Sequence, residues 1–298
     1  MTTDLPIAGY ETFGEYVIET GAWGDKPTNP VFKWFGGIDD IIIRPKVTTM
    51  EEIHLKQWAS THTRRIDALV TGLKEFAVAI NYRPQKRTDS YDWLNPMALV
   101  MGNAAGDVDT VPSFVLNRQT KNNYFVVDGL RGNTFRMSCS KGEFVNASIE
   151  APGHKMSIAQ YPLGSGSHAV DPGTDPLTWK DSVVAVDDSI IDNVREWSID
   201  FTNNVKSEAR IRELDPDYMA FAKPMIFKPT ATLMVDFLGF GFYDALISGS
   251  EFHFDVILDG KTIRMIGAKF DGQVEYNTKP EDLIGERLPI KAKYVTII

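Results

Sequence analysis

Strict alternation of apolar and polar residues is the feature that most narrows what this chain can fold into. In Glu75-Phe76-Ala77-Val78-Ala79-Ile80-Asn81-Tyr82-Arg83, the residues Phe76, Val78, Ile80 and Tyr82 recur at every second position. Successive side chains of a strand point to opposite faces, so this spacing predicts a half-buried strand. Arg195-Glu196-Trp197-Ser198-Ile199-Asp200-Phe201-Thr202 repeats the pattern with Trp197, Ile199 and Phe201 inward, and Thr230–Phe237 follows it with a less pure apolar face. Residues 122–150 read as a meander broken at Asp128-Gly129, Arg131-Gly132-Asn133 and Lys141-Gly142. Glycine in such pairs supplies the positive φ that tight hairpin turns need. Helical patterns are short: Tyr91–Met101, with Pro96 in its first turn and Gly102 after it, and Asp215–Ala222, with an aspartate cap before Pro216. Neither is long enough to cross between parallel strands. The pattern predicts a mainly β fold with a few short helices and argues against a doubly wound α/β enzyme.

Organisation follows from where the alternation stops. Tyr161-Pro162-Leu163-Gly164-Ser165-Gly166-Ser167 and the Pro/Gly-rich residues up to 178 read as a linker. It divides an N-terminal half, 1–160, from a C-terminal half, 179–298, which carries an extra hairpin near 251–269 turning at Asp259-Gly260. The halves echo each other. Strands near 40–44 and 75–83 recur in spacing as strands at 194–202 and 230–237, which suggests a duplicated β unit and one continuous sheet. The chain of 298 residues can bury a full core, and its net charge of −9 argues against nucleic-acid binding as a main task. A single cysteine, Cys139, excludes an internal disulfide and a cysteine cluster. No apolar run reaches the roughly 18 residues of a membrane helix. Met1–Pro6 lacks the basic start and apolar run of a signal peptide, so folding in the cytoplasm is expected.

Catalytic chemistry is thin in this sequence. Glu251, His253 and Asp255 alternate along one strand face and could gather a divalent cation, but the solvated face of an antiparallel strand is much the commoner origin of such a pattern. Gly164-Ser165-Gly166-Ser167-His168-Ala169 lacks the flanking strand and helix of a dinucleotide site. Asp39-Asp40 and Asp187-Asp188 are adjacent, so on strands their carboxylates diverge. Trp23, Trp34, Trp58, Trp93, Trp179 and Trp197 could build a sugar platform, although packing is the commoner use. No catalytic, cofactor-binding or metal-binding residue is assigned, and no enzyme activity is expected.

Two stretches carry a resemblance. Glu15-Tyr16-Val17-Ile18-Glu19-Thr20-Gly21-Ala22-Trp23-Gly24-Asp25-Lys26-Pro27-Thr28-Asn29-Pro30 resembles the opening of tail tube proteins (major tail proteins) of tailed bacteriophages and archaeal viruses. Asn193–Asn204 resembles that family's strand ending in paired asparagines, and the 128–149 meander also fits. The resemblance implies a β-sandwich or barrel with no cofactor, assembled as hexameric rings stacked into a virion tube that conducts DNA. Implied partners are further copies, the tape measure, the tail terminator and a sheath, with assembly in the host cytoplasm and no membrane insertion. Other β-rich tail or baseplate components and a carbohydrate-binding module remain alternatives. Under the tube reading, Glu196, Ser198, Asp200, Thr202, Thr232 and Asp236 face a polar, net acidic lumen that repels phosphates. In the excursion Val47–Leu73, expected to be strand-poor at its centre, Trp58, Arg64 and Arg65 would make ring or stacking contacts.

Overall fold

The computed structural model describes residues 12–20, 23–24, 27–52, 68–102, 111–120, 123–159, 167–208, 218–219, 221–236, 248–271, 275–277 and 285–298. In chain order the first strands are β1 (Thr12–Ile18), β2 (Lys33–Trp34), β3 (Gly37–Glu52) and β4 (Ala68–Arg83), followed by helix α1 (Leu94–Met101). Next come β5 (Ser113–Thr120), β6 (Asn123–Arg131), β7 (Thr134–Ser140), β8 (Asn146–Gly153) and β9 (Lys155–Ala159). Then follow β10 (Ser182–Val186), β11 (Ser189–Ile190), β12 (Val194–Thr202), β13 (Lys206–Glu208), β14 (Phe221–Lys223) and β15 (Lys228–Asp236). The chain closes with β16 (Phe252–Leu258), β17 (Lys261–Phe270), β18 (Glu275–Asn277), β19 (Gly285–Lys291) and β20 (Tyr294–Ile297). The fold is mainly β, built from antiparallel sheets. Among the described residues no helix is long and apolar enough to cross a membrane.

One 13-stranded sheet runs β11-β10-β16-β17-β19-β15-β12-β7-β8-β4-β3, with β18 and β20 beside the path, and a 5-stranded sheet runs β2-β1-β5-β6-β9. The four strands expected to share a sheet do so. β3 pairs β4, β12 pairs β15, and the β7–β8 hairpin stands between the two pairs. β17 changes partner along its length: Ile263–Ile266 pair with β20, Gly267 takes φ +62°, and Lys269–Phe270 pair with β19. A glycine there lets the strand adjust its backbone between two successive partners.

The alternating residues do what their spacing requires. Ile80, Phe135, Ile149, Ile199 and Leu233 from the large sheet bury against Tyr16, Phe114 and Leu116 of the smaller sheet and against α1 in one core. The excursion 47–73 is strand at both ends, since β3 and β4 are 16 residues each and pair through Glu52↔Ala68. Its centre, with Trp58, Arg64 and Arg65, lies outside the described residues.

Several local expectations need correction. Asp128-Gly129 does not break the meander. Gly129 has φ +64° inside β6, where β5 and β6 slip register between Phe114 and Leu116, so a bulge absorbs it. The helix expected over 215–222 is contradicted where that span is described. Tyr218 bridges Lys74, and β14 pairs with β13 through Phe221↔Glu208, a partner that local propensity does not reveal.

Candidate assembly surfaces

Directly opposed residues in antiparallel strands share a face, so the register fixes what the exposed side of the large sheet presents. One row crosses seven strands: Asp40, Asn81, Ser148, Arg136, Asp200, Thr230 and Lys291. A neighbouring row is Ser138, Ser198 and Thr232, and the next holds Ser140, Glu196, Met234 and Arg287. Behind them Trp197, Ile199, Phe201, Leu233 and Val235 are buried in the core. The register therefore puts Glu196, Ser198, Asp200, Thr202 and Thr232 on one polar face. Ser198 is only 4% exposed, however.

That face is polar but not net acidic, which corrects the expectation drawn from two strands alone. Asp40, Glu75, Glu150, Glu196, Asp200 and Asp236 on it are matched by Arg44, Lys46, Arg136, Lys228, Arg287 and Lys291, supplied by β3, β7, β15 and β19. Arg136 Nε lies 3.6 Å from Asp200 Oδ1, and Arg195, the bulged residue of β12, pairs with Asp236. Burial pushes the Asp200 carboxyl above its ordinary value, and Arg136 pulls it partly back. Arg136 also lines a basin with Asp39 and the neutral polar groups of Asn81, Ser138, Asn146 and Ser148.

The face ends at β3, which among the described residues has a partner on one side only. Its exposed residues include Asp39, Asp40, Arg44, Pro45, Lys46 and Val47. Charges and a proline on an open edge discourage indiscriminate strand addition.

The segments that carry the resemblance are internal staples. Glu19 accepts Gly129 N–H on Oε1 (2.7 Å) and Gly24 N–H on Oε2 (2.9 Å), while Trp23 Nε1 donates to Gly129 O (2.7 Å). Burial raises the Glu19 carboxyl's pKa against the pull of these bonds. A Cβ on Gly129 would sit 2.6 Å from His154 Cβ, so the close approach requires glycine. At the other end Asn203, fully buried, donates from Nδ2 to Val100 O (2.6 Å) and Gly132 O (2.8 Å), tying α1 to the β6–β7 turn.

The described part of the Pro/Gly/Ser stretch, 167–178, is a strap bonded along its length. Glu15, buried under it, accepts Asn117 Nδ2 and meets His168 Nδ1 at 2.7 Å each, and its other oxygen accepts Ala169 N–H. Further along, Leu177 is buried and its N–H donates to Pro84 O, while Val145 N–H donates to Leu177 O. The stretch reads as a linker in the sequence, which gives no sign of this anchoring, and the basic residues of β7 and β19 do not stand out there at all. The first hides in loop composition, and the second needs the strand order.

The remaining candidate residues take separate partners. Asp255 is buried and forms a two-pronged pair with Arg264, which also meets Asp188; Glu251 bonds Lys293 at 2.7 Å, away from that pair. Among the described residues no group of three or more His, Cys, Asp or Glu is arranged to hold a metal ion. Burial, aided by Glu143 and Asp181, pushes the Cys139 thiol up to about 11. A cleft of about 230 Å³ is lined by Trp179 and Trp197, but Trp197 is buried, as is Trp93 elsewhere, so neither of these two offers a ring face to a sugar.

No protein-family model matches the chain, and no curated protein matches it. Among solved structures it is similar to a chain of "Cryo-EM structure of the anti-feeding prophage (AFP) baseplate, 6-fold symmetrised", with TM-score 0.32 and 8% identity over 52% of this chain and 96% of that one. At that score and identity the superposition carries no weight for fold or function.

Proposed function

We propose that this chain is a structural subunit of a viral tail tube, forming hexameric rings that stack into a conduit for DNA. The observation that carries this reading is the polar face that crosses seven strands without interruption and stops at the open edge of β3. A sheet with one side in the core and one side polar is suited to be a wall, and edge-to-edge closure with neighbours would remove its open strand. Glu196, Asp200, Thr202, Thr232 and Asp236 would then line the lumen, with Ser198 beneath them. Because Arg136 and Arg195 neutralise Asp200 and Asp236, such a wall offers phosphates neither a strong field nor a dense basic track, so DNA could slide without counterion release holding it. The tape measure, terminator and sheath would be partners in the virion tail.

Negative-stain microscopy of the purified protein tests this directly. Sixfold rings or hollow tubes are expected; a monodisperse monomer at every concentration would overturn the reading.

A further inference from the structure

The connection into β15, Lys223-Pro224-Met225-Ile226-Phe227-Lys228, is fixed in place. Met225 N–H donates to Asn203 O, Asn204 Nδ2 donates to Ile226 O, each at 2.9 Å, and Phe227 packs on Phe201. Held this way, Met225 is 50% and Ile226 62% exposed. Lys206 stands directly opposite Lys223 in the β13–β14 pair, an arrangement of like charges that costs stability. Lys223 and Lys228, both exposed, form no ion pair among the described residues, and Lys206 reaches Glu208 only at 3.8 Å. The result is a rigid tip with two apolar side chains amid three cations.

The strap presents the opposite. Val170 is 79% exposed, and Val31, bridged to Ser167, is 66% exposed. Beside them Asp171 and Asp175 are exposed and form no ion pair among the described residues. This segment is fixed too, since Asp171 accepts Gly173 N–H and Asp175 O accepts Lys86 N–H.

We propose that these are the two halves of one contact between copies: the lysine-flanked tip of one protomer seats against the aspartate-flanked strap of the next. The inference deepens the assembly reading above by naming a joint. Apolar side chains would supply the hold, and the charges would supply register and speed of encounter. A second copy fits better than an anionic bilayer, because a chain of net charge −9 is repelled from such a surface as a whole. Since the two surfaces differ, the contact is head-to-tail and continues from copy to copy until it closes.

The test uses the full chain in sedimentation velocity at low and high salt, with circular dichroism as the folding control. Lys223→Glu/Lys228→Glu and Asp171→Lys/Asp175→Lys should each weaken self-association by about tenfold or more. Mixing the two variants should restore it, because each reversed surface then meets a complementary one. Unchanged association in both variants, or no recovery on mixing, overturns the contact even if microscopy shows rings. So does a wild-type chain that stays monomeric, or whose tip instead binds vesicles of anionic lipid. Recovery on mixing without rings or tubes in the microscope keeps the contact and overturns the tube reading.

Discussion

Glu19 uses two different oxygens to accept two backbone N–H groups, a demand only a carboxylate meets at this site. Glutamine has one carbonyl oxygen, and its NH₂ would face an N–H donor across the other bond. Glu19→Gln should therefore cost about 1–3 kcal/mol, the usual penalty for a stranded buried donor, read from urea unfolding. Asp200 makes the opposite case. Burial raises its pKa in the folded chain above the ordinary 3.8, so the native state holds that proton more tightly than the unfolded one. Its contribution to stability is then fully present below the unfolded value and is lost as pH rises through the folded one. Asp200→Asn removes this titration. The stability of the variant relative to wild type should climb as pH rises from the ordinary carboxylate range through the raised value, then level off. Urea melts across that range check the sign, and a difference independent of pH would mean that Arg136 fully offsets the burial.

The elements legible in the sequence are those whose reason for existing is local. The alternation at 75–83 and 194–202 became β4 and β12, and Asp259-Gly260, with φ of 48° and 73°, turns the β16–β17 hairpin. The helix read over 91–101 shortens to Leu94–Met101, with Trp93 buried at its cap. Elements defined by a distant partner were not legible. β14 depends on β13, the strap depends on Glu15, and the neutrality of the polar face depends on Arg287 and Lys291 arriving next to β15. Asn203 shows how much rests on one such distant link. Its Nδ2 serves carbonyls of α1 and of the β6–β7 turn, and it lies where Gly132 is pressed so close that a Cβ would sit 2.3 Å from Leu99 O. Asn203→Ala strands both carbonyls and should lower stability by about 2 kcal/mol or more, seen as a lower thermal midpoint. Gly132→Ala forces backbone against backbone and should be at least as damaging, whereas alanine at Gly142, with nothing within 4 Å, meets only the strain of φ +87°.

At the scale of the molecule, the large sheet and the small one share one core, and the large sheet ends in an edge strand of 16 residues with no partner on its outer side among the described residues. An edge that long is an invitation to pair, and charge and Pro45 only restrain promiscuous pairing; they do not fill the outward hydrogen bonds. If the protein works as a wall segment, those bonds are completed by a neighbouring copy. Hydrogen–deuterium exchange separates the possibilities within one strand, because alternate amides of β3 point toward β4 and away from it. In isolated protomers the outward amides between Ile41 and Val47 should exchange fast while the inward ones, bonded to β4, stay protected. In assembled particles the outward set should slow by orders of magnitude and the inward set should change little. Equal rates for the outward set in both states would mean that β3 stays open and that ring closure, if rings form, runs through another edge.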